Sequence, residues 1–212
     1  ITKPTVFDTG DTYTVAWATT EGKNSMGEVH LVYEGREHRF TDSEGGTLRC
    51  LSNMHAVRIP KKYLENNSYE VVSQHIIKHG AYSAQKGPLV TSGYLEFSGY
   101  SGQQEIEMLM VSELNSDRTL IPKIRAAASG YDLLVLGGNI LKNAGSDSDV
   151  ISGLLYNAGM LTGEKFPVVF LRGKNEPLGK YAPSPPRFVR TSPRQFYEAV
   201  QYGPVSMLIL DT

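Results

Sequence analysis

The spacing of apolar residues changes once along this chain, near residue 100. This change constrains the possible folds more than any other feature of the sequence. Before it, Tyr13, Val15 and Trp17 alternate with Thr14 and Ala16, which is the period of a half-buried β-strand. The same period recurs at Val29–Tyr33, His55–Ile59, Tyr69–Val72 and Tyr94–Phe97. About seven short strands without a helical period predict a β-sandwich of immunoglobulin or fibronectin type over residues 1–100.

After the small, polar segment 99–104, strands alternate with helices. Proline near the start and glycine after the end indicate a helix over Pro122–Ser129. A second helix is predicted from the caps at Ser146–Asp149 to Gly163, with apolar residues at helical spacing. Apolar strands are predicted at Ile106–Val111, Leu133–Leu136 and Pro167–Leu171, with two further strands at Phe196–Val200 and Val205–Leu210. This order predicts a parallel sheet with crossover helices, and thus an α/β domain over residues 101–212.

Charge and composition argue against several classes of function. The net charge of −1 and the pI of about 6.6 give no global attraction to nucleic acid or anionic membrane. No apolar run approaches the roughly 20 residues of a transmembrane helix. Cys50 is the only cysteine, so an internal disulfide and a thiolate metal cluster are both excluded. The chain begins at Ile1, so a removed leader and a trimmed chain both stay open. We expect an extracytoplasmic or secreted location.

Polar residues and glycines follow each of the three predicted parallel strands. The segments are Ser112–Asn115, Gly137–Asn139 and Arg172–Glu176. Because ligands of open parallel sheets bind beyond the carboxyl ends of the strands, the three segments are expected to form one crevice.

These segments resemble the motifs of the calcineurin-like metallophosphoesterases, a family that includes the purple acid phosphatases. In that family the first strand ends in Asp-x-His, the second in Gly-Asp and the third in Gly-Asn-His-Glu, followed by Gly-x-Tyr-Ala. The last motif matches Gly179–Ala182. The resemblance runs from about residue 106 to residue 212. It implies the first half of an αββα sandwich behind a fibronectin-like domain, which is common in the purple acid phosphatase branch.

The resemblance also assigns metal-binding positions, and most of them carry residues unsuited to a metal. Glu113 keeps a carboxylate, displaced by one methylene. Asn115 replaces an imidazole with an amide, which is a weak ligand. Asn139 replaces the carboxylate that bridges two cations. Lys174 replaces another ligand with an ammonium group, which repels a nearby cation.

The positions near the leaving group are altered as well. Asn175 replaces the family's histidine, and an amide cannot act as an acid or base. Arg172 and Glu176 complete this vestigial set, and Arg172 with Lys174 suggests an anion site as an alternative to solvent-facing charges. All five histidines precede residue 101. His75 and His79 have the spacing of a helical metal site, but their segment has the pattern of a strand.

Three hypotheses about function follow. The first is a degenerate phosphoesterase without phosphatase activity or cofactor, acting in binding or assembly. The second is one part of an active enzyme with two divalent metals (Fe, Mn or Zn), whose second half is missing or on another chain. The third is an extracellular adhesion module. A half-domain leaves one face and one edge of a sheet open, so we expect self-association or a second polypeptide that completes the domain. Nucleic acid is not expected as a partner.

Overall fold

The computed structural model describes residues 2–20, 23–80, 83–189 and 197–210. The first strands are β1 (Thr5–Thr9), β2 (Thr12–Ala18), β3 (Ser25–Tyr33), β4 (Arg36–Thr41), β5 (Ser43–Glu44), β6 (Thr47–Leu48), β7 (Met54–Pro60), β8 (Asn67–His79), β9 (Ala84–Thr91) and β10 (Leu95–Phe97). The later strands are β11 (Met108–Val111), β12 (Leu133–Gly137), β13 (Val168–Leu171), β14 (Glu198–Tyr202) and β15 (Val205–Ile209). The helices are α1 (Lys61–Leu64), α2 (Leu120–Ala127), α3 (Asp147–Val150), a π-helical segment (Ile151–Tyr156), α4 (Asn157–Thr162) and α5 (Pro186–Val189).

A six-stranded sheet joins strands from both sides of residue 100. Its order is β11-β12-β13-β1-β2-β7, and β1 pairs in parallel with β13 through Phe7 and Val168. The sheet therefore crosses the change of pattern that the sequence shows near residue 100. The physical reason lies in β1, which is buried along its whole length. Val6 packs in one core and Phe7 in another, so the strand needs cover on both faces.

A second sheet has the order β10-β8-β3-β4, and β9 also pairs with β8. Its apolar residues share a core with one face of β1, β2 and β7. The core contains Trp17, Tyr13 and Phe97, as expected from the sequence. Residues 2–97 are thus rich in β-structure, and their assignment to the fibronectin or immunoglobulin type stays a prediction.

Helices α2 to α5 and the π-helical segment cover the other face of the six-stranded sheet, whereas Leu64 of α1 packs in the core between the two sheets. The sequence-predicted caps are confirmed: Ser146 and Asp149 form a capping box, and Gly163 ends α4 with a left-handed φ of 61°. The π-helical segment between α3 and α4 was not predicted. Its Gly153 lies so close to Leu141 and Ser116 that an added Cβ would stand 2.5 and 2.6 Å from their side chains.

The hairpin of β14 and β15 packs on the sheet face opposite the helices. Val200, Tyr202 and Ile209 form a small core there with Leu133, Val135 and Val169 of β12 and β13. The predicted start of the hairpin at Phe196 lies outside the described residues. No helix in the described part of the chain has the length and apolar character needed to cross a bilayer.

Candidate functional site

The loops after β11, β12 and β13 converge, as their topology predicts. The Glu113 amide donates to the Gly138 carbonyl (3.1 Å), and the Asn115 amide donates to the Asn139 carbonyl (2.9 Å). The Asn175 amide donates to the Asn139 side-chain oxygen (3.1 Å). The structure therefore brings together residues that lie 60 positions apart in the sequence (Asn115 and Asn175).

Glu176 is the buried anchor of this crevice. Its side chain is buried, with only 2% of the residue exposed. One carboxylate oxygen accepts from the amides of Asn139 (3.1 Å) and Gly173 (2.7 Å), and the other accepts from Leu141 (3.0 Å). The carboxylate thus ties the second loop to the third. From the sequence, Glu176 was predicted to be a vestigial catalytic position. The one sequence signal of its structural role is that this carboxylate follows Gly173 by three residues.

The asparagines form a network of amides. The Asn139 side chain donates to Glu113 Oε1 (2.5 Å), and its oxygen accepts from the backbone of Asn175. The Asn175 side chain donates to Asn115 Oδ1 (2.9 Å), and the Asn115 side chain donates to the Glu113 carbonyl (3.0 Å). Four sequence-predicted positions are therefore joined directly by hydrogen bonds.

Left-handed backbone is concentrated in these loops. Glu113, Asn115, Ser116 and Asn139 have φ values of 58°, 48°, 62° and 51°. Asparagine tolerates this conformation better than most residues, whereas glutamate and serine adopt it at a cost. Such strain persists only where surrounding contacts determine it, and it is found often at functional sites. Here the hydrogen bonds between the loops supply those contacts.

The charged groups at the crevice differ in their surroundings. Lys174 is exposed and Arg172 is half-buried. Asp117, just after the first loop, accepts from the backbone amide (2.8 Å) and hydroxyl (2.7 Å) of Thr119, and these hydrogen bonds lower the pKa of its carboxyl. Asp117 therefore stabilises the turn that leads into α2, whose N-cap residue is Thr119.

The crevice does not fit a pair of divalent cations. The Glu176 carboxylate is used by three backbone amides, Asn139 presents an N–H to Glu113, and Lys174 adds a positive charge. Over the described ranges, no group of three or more His, Cys, Asp or Glu residues could hold a metal ion. The expectation of a chain without cofactor stays a prediction.

The two histidines with helical spacing lie on a strand. His75 and His79 belong to β8, where His75 is half-buried and His79 is exposed. Residues four apart on a strand are separated by about 13 Å, so they cannot share one ion. His75 instead contacts the Asn24 carbonyl through Nδ1 (2.7 Å).

Among known structures, the fold is similar to that of a purple acid phosphatase. That protein, PPD1, was isolated from yellow lupin (Lupinus luteus) seeds, and the two structures give a TM-score of 0.55 at 12% sequence identity. The similarity covers 97% of this chain and 44% of that chain, so the chain spans less than half of the length of the lupin protein. No protein-family model and no curated protein sequence matches the chain. The similarity describes the fold alone.

Proposed function

We propose that this chain is a phosphoesterase-like protein without phosphatase activity, which acts in binding or assembly. The observation that carries the proposal is the use of Glu176. Its carboxylate accepts three backbone hydrogen bonds and fastens the loops where the fold would otherwise place metal ligands. A carboxylate in that role stabilises the crevice and has little capacity left for a cation.

The remaining groups support the same proposal. Hydrolysis of a phosphate ester by two metals needs a bridging anion and a group that protonates the leaving oxygen. Asn139 and Asn175 carry neutral amides in these positions. They are joined by a hydrogen bond from the Asn175 backbone amide to the Asn139 side-chain oxygen. Lys174 adds an exposed positive charge, which suits a bound anion better than a cation.

Metal analysis together with an activity assay tests this proposal. Protein purified without chelator is assayed for Mn, Fe and Zn by mass spectrometry, and for hydrolysis of p-nitrophenyl phosphate with each metal added. We expect far less than one metal per chain and a hydrolysis rate equal to the buffer blank. About two metals per chain with metal-dependent turnover would contradict the proposal.

One observation favours a second candidate, in which the chain is part of an active two-metal phosphoesterase. The chain spans only 44% of the lupin phosphatase, so a second polypeptide has room to complete the fold. Intact-mass measurement of material purified from its source distinguishes the two. A co-purifying polypeptide with about two metals per complex supports the second candidate, and a mass matching 212 residues alone opposes it.

The finer features of the architecture belong to the same proposal. We assign residues 1–100 to a fibronectin-like sandwich and residues 101–212 to the first half of an αββα sandwich, with the shared sheet as their junction. An extracytoplasmic location follows the purple acid phosphatase resemblance. The adhesion hypothesis relies on exposed aromatic residues, of which Tyr94 next to β10 is an example.

A further inference from the structure

A chain of polar side chains crosses between the two large sheets, far along the sequence from the strand-end crevice. It contains Ser25 of β3, Asp42 between β4 and β5, and His55 of β7. All three are buried, with exposures of 2%, 2% and 0%. The proposed function of the crevice uses none of them.

The order and spacing of the groups are those of a nucleophile, a base and an orienting carboxylate. Ser25 Oγ lies 2.8 Å from His55 Nε2, and His55 Nδ1 lies 3.3 Å from Asp42 Oδ2. The carboxylate accepts a hydrogen bond from Nδ1–H, which leaves Nε2 free to accept from the serine hydroxyl. Such a constellation is recognised by geometry and roles rather than by sequence order.

Packing holds the imidazole in this orientation. The Trp17 ring lies 5.1 Å from the His55 ring, centroid to centroid. Gly27 also lies against the imidazole: an added Cβ there would stand 2.6 Å from His55 Cγ and 2.8 Å from the Trp17 ring. The Asp42 carboxylate is held in turn by the Ala56 amide and Arg187, each at 3.4 Å. The base is therefore fixed before any ligand arrives.

Ser25 is one of the residues that line a surface cavity of about 250 Å³. The other lining residues are Thr19, Thr20, Lys23, Ser73, His75, Pro88 and Val90. The Thr19 hydroxyl lies 2.8 Å from Ser25 Oγ and donates to the Asn53 carbonyl at 3.3 Å. Rotated away from that carbonyl, it can donate to a negative oxygen that develops beside the nucleophile. The volume suits a short acyl group, and Lys23 adds a positive charge at the rim.

We propose that Ser25 is the nucleophile of an acyl-transfer site for short carboxylic esters, with His55 as its general base. Ser25 Oγ attacks the ester carbonyl and gives its proton to His55 Nε2. The bond to the leaving alcohol breaks, and the alcohol takes that proton. Water, deprotonated by His55, then cleaves the acyl-serine to release the carboxylic acid and restore the serine. Asp42 is a positioning residue that sets the tautomer of His55.

Covalent labelling of the full chain with an alkyl fluorophosphonate tests the proposal. The Ser25 oxygen forms a bond to phosphorus and fluoride leaves, so the adduct is stable and can be located by peptide mass spectrometry. We expect one adduct per chain, on Ser25. No adduct, or an adduct confined to other residues, overturns the proposal, and the hydrogen-bond chain then serves only to join the two sheets.

Hydrolysis of p-nitrophenyl acetate tests the individual roles. Ser25→Ala and His55→Gln are each expected to lower the rate at least ~10-fold, while Ser148→Ala, on the distant helix α3, leaves it unchanged. Asp42→Asn is expected to lower kcat more than it changes KM and to alter the pH profile of kcat. Circular dichroism checks that each variant is folded. If folded Ser25→Ala hydrolyses the ester as fast as the unaltered protein, the proposal is overturned. If the variants do not fold, the residue that carries the fluorophosphonate label decides.

Discussion

At the scale of single residues, the ion pair between the buried Asp8 and the half-buried Lys61 links the first hairpin to the last. Asp8 is 1% exposed, and Lys61 Nζ lies 2.7 Å from its Oδ2 and 2.9 Å from the Gln201 carbonyl. Burial raises the pKa of the Asp8 carboxyl to about 6 from its ordinary 3.8, against the opposing attraction of Lys61. The cost of removing the carboxylate from water therefore exceeds the gain from its partner.

The stability of the fold should fall as the pH rises through this window. Between about pH 4 and pH 6 the folded state keeps the Asp8 proton, whereas the unfolded state has lost it. Because the folded state binds more protons there, the free energy of unfolding decreases with pH, by about 3 kcal/mol across the window. Asp8→Asn is expected to remove this component in urea titrations at pH 4, 5, 6 and 7. Asp11→Asn, at an exposed carboxylate nearby, serves as control, and equal pH slopes for the Asp8 variant and the unaltered protein would contradict the prediction.

Glu176 gives a second prediction at this scale. In Glu176→Gln, the new NH₂ group faces backbone amides that need an acceptor. The hydrogen bonds that remain then go to a neutral amide oxygen instead of a charged carboxylate. We expect the free energy of unfolding to fall by about 2–4 kcal/mol, measured by urea denaturation. Glu113→Gln is the matched control because Glu113 is exposed and, within the described residues, its side chain accepts from the Asn139 amide. A loss below about 1 kcal/mol is expected there. Equal losses for the two variants would argue against Glu176 as the anchor.

At the scale of elements, the strand-end loops pack backbone against backbone, and Gly173 permits this contact. An added Cβ would stand 2.5 Å from the Asn139 amide nitrogen and 2.7 Å from its side-chain oxygen. Gly173→Ala is expected to lower the free energy of unfolding by about 2–3 kcal/mol, because the loops must move apart. Gly87→Ala in β9 is the control, since its Cβ would meet nothing closer than 3.6 Å. A thermal denaturation midpoint for Gly173→Ala as high as that of the control would show that the loops are not tightly packed.

The sequence predicts these elements well where the pattern is local. The strand expected at Leu133–Leu136 is observed at Leu133–Gly137, and the helix expected at Pro122–Ser129 is observed at Leu120–Ala127. The π-helical turn could not be predicted, because it accommodates Gly153 against Leu141 and Ser116, which are distant in sequence. The pairing of β1 with β13 was missed for the same reason: Phe7 and Val168 lie 161 positions apart.

The candidate site shows the same limit. Topology predicts that the three loops meet, and the structure confirms that they do. The motifs identify Asn115, Asn139 and Asn175 as replacements of the family's metal-binding and catalytic residues. No motif predicts which of these side-chain amides form hydrogen bonds with one another. The partners of Glu176 are backbone amides, which every residue except proline carries, so sequence patterns cannot reveal them.

At the scale of the whole molecule, one face of the six-stranded sheet is only partly covered. The β14–β15 hairpin packs on Leu133 and Val135 of β12. Met108 and Met110 of β11 pair with these two residues in register and point to the same face, but they are 49% and 66% exposed. Since β11 is also the edge strand, its free backbone groups and its apolar side chains lie together. The open region therefore offers both hydrogen bonds and apolar area to a partner.

We expect the isolated chain to associate with itself through this edge. Light scattering coupled to gel filtration, over protein concentrations from about 1 to 100 μM, should show a mass that rises toward that of a dimer or larger species. Met110→Lys is expected to keep the chain monomeric, because a lysine on an exposed edge strand disfavours pairing. Leu89→Lys tests whether any added charge has this effect, since Leu89 is 59% exposed on β9 in the other sheet. If association weakens in the Met110 variant alone, then β11 is the contact. A monomer at every concentration would mean that the exposed strand is tolerated in solution, and the proposal of a role in assembly would then lose its physical basis.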